Sequence, residues 1–595
     1  MRERIKNRIQ SLRDDMQKHK IDAVIIPSSD AHQSEYIAGY WAVRAWLSGF
    51  TGSSGTLIVL SEYAALWTDP RYFIQAENEL TGTGITLHKQ TIPHAPEHIP
   101  WLSKQLSAGQ CVGLDCRLFS MSQMSYLTSQ LTAQQISLSR NYDPFNKLWQ
   151  DRPSLPKSSV FEHEAVYSTL TRTDKISILR NKMAAHQADY LLLSSLDDIA
   201  WVLNLRGNDI PFNPLFYAYL IIGNDSCLFY VNENKIPSEL KEKFSIEKIS
   251  LLPYDEILES ISQLGNHTTF VIHPESLNAA IFNQIPSNKI IPQPNWVMEL
   301  KAIKSGNEIK HIQNAMQKDG IALLRAFRWL EKGIKEGQLI SEFDFAEKCA
   351  FFRSQQPDYK GESFNAIVGF NRNGAIIHYH PDAENAAIIT TDGLLLIDSG
   401  GQYLDGTTDI TRTIFIGENP PEKIKNHFTL VLKGFISLAS AHFPAGTVGM
   451  QLDTLARNPL WKHGLDYAHG TGHGIGFYLS VHEGPQGFAT NPTTSRGTTA
   501  FRPGMITTNE PGLYLEGEYG IRIENILLCK ELSNGFLTFE DLTLFPVSIR
   551  LIETSLLNQD EKDWLNNYHR LVWDRLSPFI SDDEKEWLKH QCSPI

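Results

Sequence analysis

Four acidic residues and one histidine in the last third of the chain indicate its chemistry. They are Asp398, Asp409, His473, Glu510 and Glu524. Carboxylates held side by side repel each other unless a cation lies between them. Two divalent cations balance four carboxylates in charge and leave room for a hydroxide, the nucleophile that two-metal hydrolytic sites generate from water. These residue types therefore predict a two-metal hydrolytic site.

The sequence around the acids predicts two hairpins. Asp398 closes the apolar run L-L-L-I, and Asp409 opens the alternating run I-T-R-T-I-F-I after a Gly-rich polar stretch. We expect an antiparallel pair of strands joined by a hairpin or longer turn, with the two carboxylates side by side. Glu510 precedes a Pro-Gly turn, and Glu524 lies in the alternating segment 521–528. A second hairpin could direct these two carboxylates at the first pair.

The histidine at position 473 lies in a Gly-studded loop, where the backbone can bend sharply and present an imidazole to the acids. Ligation by many oxygens and one imidazole favours harder ions, so we expect Mn²⁺, with Co²⁺ or Zn²⁺ as alternatives. Each motif taken singly has another interpretation. D-x-T and E-P-G also occur as turn and capping residues, and the pair His469 and His473 could belong to a tight loop only.

The motifs form an ordered set: D-S-G, D-x-T-R-T, H-G-T-G-H-G-x-G, H-E-G-P, E-P-G and G-I-R-I-E-N. This set resembles the metallopeptidases of the pita-bread fold, and specifically the three-domain, cytosolic type of Xaa-Pro aminopeptidase (aminopeptidase P). The resemblance extends to S-S-D-A-H-Q-S-E-Y-I-A (28–38), W-T-D-P-R-Y-F (67–73), G-A-I-I-H-Y (374–379) and D-W-L-N-N-Y-H (563–569). It therefore covers nearly the whole chain.

The resemblance implies roles for particular residues. The four acids and the histidine named above would hold two divalent metals, with Asp409 and Glu524 as the bridging carboxylates. Three further histidines would orient the substrate and stabilise the gem-diolate formed during hydrolysis. These histidines are His378, His469 and His482.

Two arginines and one neighbouring histidine have more open interpretations. Arg522 lies two positions before Glu524, so both side chains share a face in an extended strand, and we expect it to orient a carboxylate or the substrate. Arg71 matches a family position from which the N-terminal domain reaches toward the site, and would otherwise be a salt-bridged surface arginine. His378 and His380 could both be surface histidines, and His380 has no expected role.

The expected reaction is hydrolysis of the first peptide bond of peptides with proline at the second position. Glu510 is the candidate general base and acid, which would pass a proton to the proline nitrogen. Three alternatives share the fold. They are a prolidase-like X-Pro dipeptidase, a metal-independent creatinase-like enzyme and a non-catalytic module that binds proteins, and the complete ligand set argues against the last two.

The composition limits the classes of function. The 595 residues carry a formal net charge of −13, from 54 Lys and Arg against 67 Asp and Glu, which argues against a nucleic-acid surface. No apolar stretch approaches the roughly 18 residues of a membrane span, and the N-terminus lacks the apolar core of a secretory signal. Six cysteines without disulfide or zinc spacing suggest a cytoplasmic protein. A homodimer is expected from the resemblance alone.

The chain is expected to form three domains. Residues 1–155 have an α/β pattern, residues 156–299 repeat it, and residues 300–595 form an α+β catalytic domain with a helical tail from about 547. The repeat is visible where I-D-A-V-I-I-P-S-S-D (21–30) aligns with A-D-Y-L-L-L-S-S-L-D (188–197). The resemblance describes these parts as two creatinase-N-like domains followed by a pita-bread catalytic domain.

Local signals predict individual elements. S-G-N-E at 305–308 is a capping box that opens a long amphipathic helix, and a second helix is expected over 424–443. Segment 151–159, with two prolines, is typical of a linker. The aromatic tail beyond Pro546 is expected to pack on the catalytic domain or on a second subunit. In the first domain we expect strands at 23–26, 56–60 and 64–67.

Overall fold

The structure is a computed structural model that describes residues 2–92, 95–264, 268–492 and 494–595. The chain divides into two compact units. The first unit consists of Met1–Glu164 and Leu170–Val297, and the second consists of Ala165–Thr169 and Met298–Ile595. In the described ranges, we find no helix with the length and apolar character needed to cross a membrane.

The first module of the first unit is an α/β sheet in the order β4-β3-β2-β1-β5-β6. Its strands are β1 (Ala23–Pro27), β2 (Thr56–Leu60), β3 (Ala64–Thr68), β4 (Thr86–Lys89), β5 (Cys111–Gly113) and β6 (Ser137–Ser139). Its helices are α1 (Arg2–His19), α2 (Val43–Ser48), α3 (Phe73–Leu80), α4 (His98–Gln105), α5 (Met121–Thr132) and α6 (Phe145–Leu148). The three predicted strands are confirmed.

The second module of this unit has the sheet order β12-β11-β10-β8-β13-β14. Its strands are β7 (Phe161–Glu162), β8 (Tyr190–Leu193), β9 (Leu205–Arg206), β10 (Ala218–Gly223), β11 (Cys227–Val231), β12 (Ser250–Leu252), β13 (Phe270–Ile272) and β14 (Ile290–Pro292). Its helices are α7 (Arg172–Ala185), α8 (Leu196–Leu203), α9 (Ser238–Ile246), α10 (Ile257–Leu264) and α11 (Ala279–Phe282).

The two modules repeat one topology, as the sequence alignment predicted. Strands β1 and β8 each pair antiparallel with one neighbour and parallel with the other. An aspartate stands just before each of these strands at the aligned position. Asp22 accepts a hydrogen bond of 2.7 Å from the backbone N–H of Cys111, and Asp189 accepts one of 2.7 Å from the backbone N–H of Thr269. The same side chain therefore ties the same two parallel strands in both copies.

The second unit combines antiparallel strands with helices. Its strands are β15 (Tyr359–Glu362), β16 (Ile367–Phe370), β17 (Gly393–Ser399), β18 (Gly401–Tyr403), β19 (Gly406–Thr407), β20 (Ile410–Ile416), β21 (His442–Pro444), β22 (Gly472–Gly474), β23 (Glu483–Phe488), β24 (Ile506–Asn509), β25 (Gly512–Leu515), β26 (Tyr519–Arg522), β27 (Asn525–Glu531) and β28 (Phe536–Asp541). Its helices are α12 (Trp296–Ala302), α13 (Gly306–Lys335), α14 (Glu342–Ser354), α15 (Glu422–Ala439), α16 (Gly449–Trp461), α17 (Ser495–Thr498), α18 (Gln559–Leu576) and α19 (Asp582–Gln591).

The sheets of this unit lie around one large apolar core. One sheet has the order β16-β17-β20, and another has the order β21-β28-β27-β24-β22-β23. Helix α13 begins at the predicted capping box of Ser305 and Glu308, and it buries Ile312 in the core. Helix α18 contributes Leu565 and Tyr568 to the same core. The aromatic tail therefore packs on its own catalytic unit.

Two expectations differ from the structure. The helix expected over 424–443 ends at Ala439, and strand β21 follows and pairs with β28. The segment 521–528 is not one strand, since β26 ends before Ile523 and β27 begins after Glu524. Strand β27 pairs with β24 and β28, and such pairing is not revealed by local alternation. The connection between Asp398 and Asp409 contains the small ladder of β18 and β19, in agreement with the expected hairpin or longer turn.

Candidate metal centre

The first pair of acids lies at one end of an antiparallel ladder. Strand β17 carries Asp398 opposite Thr411 of β20, and Asp409 stands immediately before β20. Both carboxylates are buried. The predicted antiparallel pairing is therefore present, and the ladder places the two acids at the same edge.

The second pair of acids lies in a gap between two ladders. β24 pairs with β27 up to Asn509 and Asn525, and β25 pairs with β26 from Gly512 onward. Glu510 and Glu524 fall between these ladders, so their backbone groups bond elsewhere. The N–H of Glu524 donates to the carbonyl of Thr411 at 3.1 Å, which joins the two hairpins. The N–H of Glu510 donates to the carbonyl of Thr471 at 2.8 Å.

His473 lies in strand β22 rather than in the expected loop. This strand runs between β23 and β24, and the glycines on both sides of the histidine permit the close approach. A Cβ on Gly472 would lie 1.9 Å from the carbonyl oxygen of Thr508, and one on Gly474 would lie 2.2 Å from that of Glu483. The Gly-His-Gly sequence is thus required by the packing of three strands.

The hydrogen bonding of His473 sets which of its ring nitrogens faces the acids. Nδ1 donates to the carbonyl of Gly474 at 3.0 Å, so the neutral ring has its lone pair on Nε2. Nε2 lies 3.5 Å from Oδ2 of Asp409 and 3.6 Å from Oε1 of Glu510. A backbone acceptor on the far nitrogen is the usual way that proteins orient a metal-binding imidazole.

The donor set fits a divalent cation. Asp409, His473 and Glu524 each offer a ligand atom, and these atoms lie within 4.8 Å of one another. Among the described residues, Oδ1 of Asp398 and Oε1 of Glu524 are buried without a hydrogen-bond partner. A buried carboxylate oxygen without a partner is costly, and a cation would satisfy it.

Crowding changes the acidity of three of the acids. Burial, with repulsion from Asp398 and Glu510, raises the pKa of Asp409 well above its ordinary value. Burial and the neighbouring acids also raise the pKa of Glu524 well above its ordinary value. Burial raises the pKa of Glu510 to about 7, and Arg522 partly opposes this rise. The protein without metal therefore favours protonated acids at this site.

Arg522 holds the edge of the acid cluster. Its Nη2 donates to Oδ2 of Asp398 at 2.6 Å, and its Nε donates to the hydroxyl of Thr411 at 3.1 Å. That hydroxyl donates in turn to Oε2 of Glu524 at 2.7 Å. The Thr411 hydroxyl therefore links Arg522 to Glu524.

Tyr514 connects this arginine to His469. Nη1 of Arg522 donates to the Tyr514 hydroxyl at 2.7 Å, and that hydroxyl lies 2.9 Å from Nε2 of His469. Nδ1 of His469 donates to the carbonyl of Gly470 at 2.7 Å, so Nε2 is the acceptor for Tyr514 in the neutral ring. Neither Tyr514 nor Thr411 was identified from the sequence. The signal for Thr411 was its position in D-x-T, two residues after Asp409.

The remaining predicted site residues have different surroundings. The ring of His482 lies edge-on to that of His473, with centroids 4.3 Å apart. His378 is half-buried in a turn, and His380 is exposed. Arg71, in the first unit, makes a two-pronged ion pair with Asp69 at 2.8 and 2.9 Å.

The turn that carries His378 is fixed by two glycines. A Cβ on Gly520 of β26 would lie 1.8 Å from the carbonyl oxygen of Gly374. The backbone before His378 therefore packs directly on the hairpin that bears Arg522. This contact explains why G-A-I-I-H and E-Y-G each contain glycine at these positions.

A buried charged cluster anchors H-E-G-P. Nζ of Lys304 donates to Oε1 of Glu483 at 2.6 Å, and Nζ of Lys301 lies 3.7 Å from Oε2. All three side chains are almost fully buried. Glu483 follows His482 directly and pairs with Gly474 in the ladder of β22 and β23. The cluster thereby holds His482 against His473.

Comparisons with known proteins match each part of this chain. Residues 310–531 match metallopeptidase family M24, and residues 535–595 match the C-terminal region of peptidase M24. Residues 8–143 and residues 151–308 each match the creatinase/prolidase N-terminal domain. The two α/β modules thus have the same kind of counterpart.

Similar proteins extend over nearly the full length. A protein of Laccaria bicolor described as a probable Xaa-Pro aminopeptidase P is 39% identical over 99% of this chain and 93% of its own. The X-prolyl aminopeptidase of Caenorhabditis elegans, described as a cytosolic enzyme with a di-nuclear active site, has a TM-score of 0.93 and 36% identity, covering 97% of this chain and 95% of its own. An Xaa-Pro dipeptidase from Bacillus anthracis has a TM-score of 0.51 and 26% identity, covering 64% of this chain and 99% of its own. These similarities confirm the expected fold class.

The raised pKa values predict how pH affects stability without metal. Because the folded state binds protons more tightly than the unfolded chain, the free energy of unfolding should fall as pH rises from 4.5, the ordinary pKa of Glu, through 7. The neighbouring acids titrate together, so the loss belongs to the cluster and not to one residue. Thermal unfolding in chelator and in Mn²⁺ across this range measures the effect. The prediction would be contradicted if the protein in chelator were as stable at pH 8 as at pH 5 after the change seen in Mn²⁺ is subtracted.

Replacing Glu483 by Gln should destabilise the protein. The change removes the carboxylate that the buried ammonium group of Lys304 binds, and breaking a buried pair in this way typically costs about 3–5 kcal/mol. Urea unfolding measures the loss. Glu516→Gln, at an exposed position, is the control and should change the free energy of unfolding by less than about 0.5 kcal/mol. Equal stability of the two variants would show that Glu483 does not balance the lysines.

Proposed function

The chain belongs to metallopeptidase family M24, and on that premise we propose that it is an Xaa-Pro aminopeptidase. It would release the first residue of peptides that have proline at the second position. The observation that carries this proposal is the buried cluster of acids around His473, combined with similarity to an X-prolyl aminopeptidase over 97% of the chain.

We propose that the five clustered side chains hold two divalent ions. Asp409 and Glu524 would contact both ions, and the other ligands would be Asp398, His473 and Glu510. Bound divalent ions supply a water of lowered pKa as the nucleophile and polarise the scissile carbonyl. Mn²⁺ is our first choice because oxygen ligands predominate, with Co²⁺ or Zn²⁺ as alternatives. The buried oxygens without partners on Asp398 and Glu524 support this assignment.

Glu510 is our candidate for proton transfer. Its side chain is 17% exposed, whereas that of Asp409 is 5% exposed, so Glu510 is the more accessible of these two acids to a bound peptide. A carboxylate at this edge of the cluster can accept a proton from the attacking water and return it. The proton would pass to the proline nitrogen, which leaves from a tertiary amide that has no N–H of its own.

Histidines and arginines around the cluster would position the peptide. We assign this role to His378, His469, His482 and Arg522. The contact of His482 with His473 and the link from His469 through Tyr514 to Arg522 support it. A role for Arg71 in substrate binding remains a prediction of the resemblance, since its guanidinium pairs with Asp69 within the first unit.

The alternatives account for less of the chain. The Xaa-Pro dipeptidase structure covers 64% of it, so a prolidase-like activity would leave one third without a counterpart. A non-catalytic module would not need unpaired carboxylate oxygens in its core. A metal-independent creatinase-like enzyme would not need these carboxylate oxygens either.

We further propose a cytoplasmic homodimer with domain boundaries near residues 155 and 299. The six cysteines are free thiols, which agrees with a reducing compartment. The family match that begins at residue 151 supports the first boundary, and the division of the compact units between Val297 and Met298 supports the second. Light scattering that shows only monomer would remove the dimer from the proposal.

Hydrolysis of two peptides tests the activity. With Mn²⁺, the protein should release arginine from Arg-Pro-Pro and act little on the dipeptide Gly-Pro, and chelator should abolish the reaction. Chromatography of the products measures both rates. Preference for Gly-Pro would make the protein a dipeptidase. Silence on both peptides with metal bound would contradict the proposed substrate class.

A further inference from the structure

We propose that Arg412 and Tyr568 are positioning residues of the metal centre, and that helix α18 holds Glu524 in place through them. The inference rests on the proposed function, because it concerns the same ions. Arg412 is the arginine of the D-x-T-R-T motif, and Tyr568 belongs to the D-W-L-N-N-Y-H motif of the tail. Neither residue has a role in the mechanism derived above.

One side of the Arg412 guanidinium binds the backbone that carries the metal site. Nη1 donates to the carbonyl of Thr411 at 2.9 Å and to the carbonyl of Glu524 at 2.6 Å. Glu524 lies in the gap between β26 and β27, where the ladder leaves its carbonyl without a strand partner. Arg412 therefore replaces the missing ladder hydrogen bond at the residue whose carboxylate faces the acids.

Strand β20 presents Thr411 and Arg412 on opposite faces. Successive side chains of a strand point to opposite faces, so the Thr411 hydroxyl faces the acids while Arg412 points away from them. The Thr411 hydroxyl donates to the Glu524 carboxylate, and Arg412 binds the Glu524 carbonyl. Side chain and backbone of Glu524 are thus fixed from the same strand.

The other side of the guanidinium binds the C-terminal region. Nε donates to the carbonyl of Pro546 at 3.0 Å. Nη2 donates to Oδ1 of Asn525 at 2.8 Å, to the carbonyl of Phe545 at 2.6 Å and to the hydroxyl of Tyr568 at 2.9 Å. Pro546, Phe545 and Tyr568 all lie in the stretch that matches the C-terminal region of peptidase M24. That region supplies half of the acceptors that hold Arg412.

All of these acceptors are neutral. Arg412 is only 3% exposed, and within the described ranges no carboxylate lies within 4.0 Å of its guanidinium. A buried guanidinium without a paired carboxylate is costly, and here it is compensated by hydrogen bonds that require its planar, forked shape. The site thus uses the geometry of arginine and not merely its charge.

Arg412→Lys tests the proposal. Lysine keeps the charge, but a point donor cannot hold the Glu524 carbonyl and the tail carbonyls together. The dissociation constant for Mn²⁺, measured by calorimetric titration of the full chain, should rise by about 10-fold to 100-fold, as for other residues that orient ligands. At saturating Mn²⁺, kcat on Arg-Pro-Pro should return close to that of the unchanged protein.

Arg172→Lys is the matched control. Arg172 is equally buried, at 3% exposure, but it binds Glu162 and Glu247 in the first unit. Its replacement should lower the unfolding temperature and leave Mn²⁺ affinity unchanged. If Arg412→Lys also lowers only the unfolding temperature, then Arg412 is a packing residue and the proposal is wrong.

Tyr568→Phe tests the contribution of α18, and it is the variant to measure if Arg412→Lys does not fold. It removes one acceptor of Arg412 and keeps the packed ring, so we expect a folded protein whose Mn²⁺ affinity falls about threefold or more. Unchanged affinity would exclude Tyr568 from the metal centre. Calorimetry needs no peptide, so a protein that binds Mn²⁺ but cleaves no substrate would contradict the proposed function and leave this inference standing.

Discussion

The mutual repulsion of buried carboxylates is the constraint on which the catalytic unit depends. Asp398, Asp409, Glu510 and Glu524 converge where little solvent can separate their charges, and the raised pKa values show the cost. Such a cluster persists only if rigid elements hold it or cations neutralise it. The strands that carry the acids provide the rigid elements, and the buried carboxylate oxygens without hydrogen-bond partners could bind the cations.

Rigidity comes from backbone contacts more than from ion pairs. The ladder of β24 with β27 and the ladder of β25 with β26 both stop short of Glu510 and Glu524. The backbone N–H groups of these two residues bond instead to the carbonyls of Thr471 and Thr411, respectively. Glycines beside His473 allow three strands to approach closely enough to bring its ring to the acids. These interruptions remove ladder hydrogen bonds from the sheet. Arg412 on one face of β20 and Arg522 on the other supply hydrogen bonds there.

The sequence was most informative where local patterns decide structure. The capping box at Ser305, the repeat of Asp22 in the second module and the pairing of Asp398 with β20 all follow from spacing and alternation. Local patterns did not reveal the break after Arg522 or the contacts of Tyr514. Those features depend on strands distant in sequence, and alternation alone cannot say where a ladder stops.

The most direct test of this account is the location of the metal ions. Crystals grown with Mn²⁺ and measured at the manganese absorption edge should show two anomalous peaks in each chain. Both peaks should lie among the side chains of Asp398, Asp409, His473, Glu510 and Glu524, with Arg522 still bound to Asp398. One peak, no peak, or peaks outside this cluster at saturating Mn²⁺ would contradict the claim that the crowded acids form a two-metal site.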